Sequence, residues 1–155
     1  MNDFFGMIGR VEIIHRDPQG NILNYRDVKN LVTHSGRALA AKMMINTTAA
    51  GATFLAVGSN AMALNVSNVT TVLTGEHGVA ASGLSRTAAT VSIVGPTSAQ
   101  WTFTWTSASD GMVVQEEAIA HTLTLGSELV AAQTFSSITV NSNDTLQVTH
   151  HISFN

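Results

Sequence analysis

The chain predicts an all-β fold: an antiparallel β-sandwich or jelly-roll-like domain with one short helix over about 35–46. Three observations lead there. Apolar residues recur with a period of two in several short segments separated by turn signals, the pattern of half-buried strands. Only one segment, "KNLVTHSGRALAAKMM", repeats its apolar residues at helical spacing. The 155 residues suit one domain with a single core, 1–155, and contain no internal repeat.

The first element is "MIGRVEIIHR" (7–16), with Ile8, Arg10, Glu12 and Ile14 on one face and Val11 and Ile13 on the other. "DPQGN" (17–21) is a turn, since Pro18 presets φ and Gly20 supplies positive φ. "ILNYRDV" (22–28) returns antiparallel and completes a hairpin. The helix follows, with Thr33 or Ser35 as N-cap, good helix formers after it, Leu39, Met43 and Ala40 inward, and Asn46 at its end. A single helix of this length closes one end of a sheet and cannot form a core.

From Thr53 onward the pattern is β. "TFLAVGS" (53–59) is continuously apolar, as a buried strand is. "RTAATVSIVG" (86–95) alternates and reads as one strand. "AQWTFTWTS" (99–107) sets Trp101, Phe103 and Trp105 against Thr102, Thr104 and Thr106. "VVQEEAIAHTL" (113–123), "LVAAQTFSSITV" (129–140) and "DTLQVTHHISFN" (144–155) complete the set. In the last, Leu146, Val148, His150 and Ile152 share one side. Residues 60–85 form a long connection with little periodicity, and such loops are commonly functional.

Composition narrows the function classes. Charged residues are 11% of the chain, against roughly 25% in an average soluble domain, and the net charge is −3. With positive mean hydropathy, this points to a surface partly covered by other subunits. The 7 basic residues are scattered from Arg10 to Arg86, so no stripe exists for phosphates and no nucleic-acid partner is expected. No apolar run is long enough to span a membrane, and the N-terminus, with Asp3 and no basic region, does not read as a signal peptide. Cysteine is absent, which excludes disulfides and thiolate metal sites and fits synthesis in a reducing cytoplasm.

Candidate chemistry is sparse. His150 and His151 are adjacent on a strand and so face opposite ways, unsuited to sharing a metal. Glu116 and Glu117 are likewise adjacent; a carboxylate pair for glycoside hydrolysis must face itself across a cleft, and neither Glu76 nor Glu128 is marked as a partner. No nucleophile elbow, P-loop or dinucleotide fingerprint occurs. The expectation is no catalytic residue, no metal, no cofactor and no enzymatic activity. The aromatic stripe Trp101, Phe103, Trp105 reads as a core face, with a carbohydrate platform as the other reading. Candidate interface residues are Trp101, Trp105 and the apolar cluster Phe4, Phe5 and Met7, in a possible N-terminal contact arm over 1–7.

Taken in order, Asn30 to Thr33 with Gly36, Ala56 to Ser59, Arg86 with Thr87, Glu116 to Ala118, and Phe135 to Phe154 with Asp144, Leu146, Val148 and Ile152 form a series of short motifs. The series resembles small virion structural proteins of tailed bacteriophages. It departs from them at "VGSNAMA", where V-G-T-G is frequent, and at His150–His151, where an aromatic residue is common. The resemblance implies a sandwich or jelly roll that assembles on the particle as a homo-oligomer, often a trimer. Its expected role is capsid decoration (cement) bound to the major capsid protein. A tail, baseplate or fibre component is the alternative, and a carbohydrate-binding module a distant one.

Overall fold

A computed structural model of the chain describes residues 6–45, 51–60, 73–78, 82–123 and 129–154. Phe4, Phe5 and most of the 60–85 connection lie outside the described residues, as does the side chain of Met43.

Among the described residues, nine antiparallel strands and one helix follow in chain order: β1 (Met7–Arg16), β2 (Ile22–Val32), α1 (His34–Ile45), β3 (Phe54–Gly58), β4 (Thr87–Ala88), β5 (Thr90–Gly95), β6 (Ser98–Thr106), β7 (Met112–Ala120), β8 (Leu129–Val140) and β9 (Thr145–Phe154). They lie in the order β4-β3-β7-β8-β2-β1-β9-β6-β5. The ladder folds over at β2. Gly9 to Arg16 of β1 pair along β2 as far as Asn30, whereas only Leu31 and Val32 pair with β8, opposite Ala132 and Ala131. One sheet is therefore β5-β6-β9-β1-β2 and the other β2-β8-β7-β3-β4, and the fold is an all-β sandwich with a strand shared at one corner.

The core lies between the sheets and comes from the inward set of each strand. Val11 and Ile13 of β1 and Leu146, Val148 and Ile152 of β9 meet Leu55, Val57, Ile119, Ile138 and Val140 from the other side, all essentially fully buried. The inner-face residues foreseen on β9 are all present. The continuously apolar run becomes β3, with Leu55, Ala56 and Val57 buried.

Local chemistry sets the turns. Gly20 at φ 89° closes the β1–β2 turn, and Asp17 Oδ1 accepts the N–H groups of Gln19 and Asn21 at 3.0 and 2.8 Å. The hydrogen bond from the Asn21 side chain leads in holding the Asp17 carboxyl below its ordinary range. At the β8–β9 turn Asn143 takes φ 67°, a conformation Asn tolerates.

Three expectations are corrected. The hairpin strand expected to stop at Val28 runs on to Val32, because its last residues leave β1 and add to β8. The single strand over 86–95 is two: Thr87–Ala88 pair with β3, and Thr90–Gly95 pair with β6 in the other sheet. The strand breaks at Ala89, whose N–H bonds to Thr53 O at 2.8 Å. The strand expected over 113–123 is β7, ending at Ala120.

The helix begins at Thr33, which is the cap: its Oγ1 accepts the Gly36 N–H at 3.0 Å and donates to Leu129 O at 2.6 Å. A Cβ on Gly36 would lie 2.0 Å from Val130 O, so only glycine lets the helix seat on β8. Leu39 faces inward and packs against the core.

Candidate functional site

Seven of the charged and imidazole side chains form three buried clusters. The first lies between the sheets. Glu117 projects inward from β7, with Oε1 3.0 Å from His150 Nδ1 on β9; both side chains are fully buried. Asn30 Nδ2 contacts the other ring nitrogen, Nε2. Asn30 reaches it across Gly9, where a Cβ would overlap the Asn30 amide. The second lies under the turns: His15 Nε2 is 2.9 Å from Asp144 Oδ2 and its Nδ1 is 3.0 Å from Asn24. The same Asp144 oxygen accepts the Asn141 N–H at 2.9 Å, so one carboxylate ties the β8–β9 turn to β1.

The third cluster fastens residues 73–78 to the second sheet. Arg86 forks onto Glu76 with Nε–Oε1 at 2.7 Å and Nη2–Oε2 at 2.8 Å, and its Nη1 donates to Thr122 O at 2.9 Å. Glu116 lies over Gly58, where a Cβ would collide with its carboxylate, and accepts the Gly75 N–H at 2.7 Å. Burial pushes the Glu116 carboxyl above its ordinary value, opposed by hydrogen bonds from the backbone of Gly75, Thr74 and Asn60. Ser59 N–H to Gly75 O and His77 N–H to Val57 O continue the pairing along β3 beyond β4.

Glu116 and Glu117 do face opposite ways, and so do His150 and His151: His150 is buried, while His151 is half-buried on the outer face. Burial, then the nearby Arg10 charge, lowers the His151 pKa. No group of three or more His, Asp or Glu spaced to hold a metal occurs among the described residues.

Of the candidate interface residues, Phe4 and Phe5 lie outside the described residues. Trp105 is a correction. It is 3% exposed, its Nε1 donates to Ser85 O at 2.8 Å, and it packs edge-to-face on Phe103 with centroids 5.0 Å apart. It is a core residue and presents no ring to a partner. Trp101 is half-buried, its Nε1 donating to Ala52 O at 2.7 Å. Trp101 and Met7 meet at the helix end of the sandwich. There they line an apolar cavity of about 310 Å³ with Leu39, Val91, Ile152 and Phe154. A second, more polar hollow of about 340 Å³ lies on the outer face beside Arg10, Ser98 and His151.

The buried ion pairs had one sequence signal: an Arg or Glu set in a strand of a chain with so few charges needs a partner. Which partner, from 10 to 129 residues away, was not readable. No family model, curated protein or solved structure matches the chain.

Proposed function

We propose that the chain is a structural protein of a tailed-bacteriophage particle, a capsid decoration protein that binds the major capsid protein as a homo-oligomer, a trimer by the resemblance. The observation that carries the reading is the apolar cavity lined by Met7 and Trp101. It lies at the start of β1, where the N-terminal segment joins the sandwich. Such a cavity suits an apolar anchor from a neighbouring subunit, and interfaces concentrate their affinity in a few anchors of this kind. The low charge of the chain supports the same reading. The buried polar clusters hold the domain together, which suits a protein that works by binding.

Gradient cosedimentation with empty heads and with isolated tails tests it. The protein is expected to travel with heads and raise the temperature at which they rupture, and Trp101→Ala is expected to weaken both effects. Travel with tails alone would move the reading to a tail or baseplate component. Travel with neither would overturn the virion reading.

A further inference from the structure

We propose that β5 is a pairing edge, and that its occupant is the β5 of a second copy of this chain, antiparallel about a two-fold axis. The two ends of the strand ladder differ. At one end β4 is only two residues long, and residues 75–77 continue the pairing beyond it along β3. At the other end β5 pairs with β6 on one side, and no described strand covers its other side.

Exposed strand edges are usually blunted by charge, proline or brevity. Over Thr90–Gly95, "TVSIVG", there is no charge and no proline. A register shift between Ile93 and Gly95 is the one irregularity, and Thr90 to Ile93 pair regularly with β6.

The side chains say what should cover the edge. Val91 pairs with Trp101 and Ile93 with Ala99, so both project from the core face of their sheet. Yet Ile93 is 84% exposed and Val91 43%, because the sheet overhangs its partner there. The period of two admits only pairings that keep this face together. Setting Ser92 opposite the partner copy's Ser92 places Val91 against the partner's Ile93 and Thr90 against its Val94. Apolar then meets apolar at the margin of the cavity that Val91 lines, and on the outer face Ser92 meets Ser92 between two Thr90–Val94 pairs. An uncharged strand repeated about a two-fold axis meets no like-charge repulsion, and the contact is self-complementary, as an isologous interface requires. This contact stands apart from the virion reading: alone it closes as a dimer, and added to a trimer it joins trimers in pairs, the smallest closed assembly being a hexamer.

The chain has no cysteine, so cross-linking is clean. Ser92→Cys is expected to be captured as a disulfide dimer under mild oxidation. Thr104→Cys, exposed on the same face but inside the sheet, is not. Adding Ile93→Lys to Ser92→Cys should abolish capture, and Ile93→Lys alone should lower the mass by light scattering twofold with unchanged circular dichroism. Capture of Ser92→Cys no greater than Thr104→Cys, capture that survives Ile93→Lys, or a wild-type mass of one or three chains would each overturn the proposal.

Discussion

Two arginine–carboxylate forks in this molecule share a geometry and differ in where they lie. Arg10 meets Asp27 across β1 and β2 with both N–O distances at 2.7 Å. Arg86 meets Glu76 at 2.7 and 2.8 Å. The first pair has side chains 55% and 39% exposed, the second 3% and 4%. Water competes for the outer pair and salt screens it, although the hydrogen bond lowers the Asp27 pKa and raises that of Arg10. The inner pair has given up hydration, so each charge depends on the other. Distance alone does not rank them; surroundings do.

The largest expected effect comes from breaking the inner pair. Arg86→Met leaves Glu76 buried and unpaired and should cost about 3–5 kcal/mol in urea unfolding. Arg86→Met with Glu76→Leu should recover much of that loss, since neither charge then remains. A single variant as stable as the wild type would show that water reaches Glu76. Next is Gly36→Ala, where the new Cβ meets a backbone carbonyl that cannot rotate away; overpacking of this kind costs about 1–3 kcal/mol, read as a lower melting temperature. Thr33→Ala removes the cap and the bond to Leu129 O, for about 1–2 kcal/mol by the same measurement.

Smaller still is a pH effect at Glu116. Its pKa is raised on folding, so the folded state binds its proton more tightly than the unfolded chain does. The stabilisation from this group is complete below the ordinary Glu value of 4.5 and is lost as pH rises through the raised value. Glu116→Gln keeps an oxygen for the Gly75 N–H and carries no charge, so its unfolding midpoint should fall less than that of the wild type between acid and neutral pH. An unchanged slope would show that the Glu116 carboxylate is hydrated. At the bottom, Arg10→Ala should leave the unfolding midpoint in place; a clear drop would mean that the outer pair is far less screened than its exposure indicates.

The local elements were legible because their causes are local. The Asp17–Asn21 turn, a cap at Thr33 or Ser35, the one helix among the described residues and the inward set of β9 each follow from residues within a few positions of one another. The opposed directions of Glu116 and Glu117 and of His150 and His151 follow from the pleat alone. Alternation left Trp105 two readings, core face and partner contact, and its burial decides for the core. The break at Ala89 was not legible, because the alternation of "RTAATVSIVG" continues straight through a point where the chain crosses from one sheet to the other.

The sequence was therefore enough for the class of fold and the opposed faces of neighbouring strand residues, since both depend on backbone periodicity and turn chemistry. Only the tertiary structure decided which face was buried by what. It joined Glu117 to His150, His15 to Asp144 and Arg86 to Glu76, kept Trp105 in the core, and left β5 overhanging with Ile93 in the open. Those outcomes depend on which strands become neighbours and where one sheet ends over the other, and strand pairing is set by the packing of the whole chain.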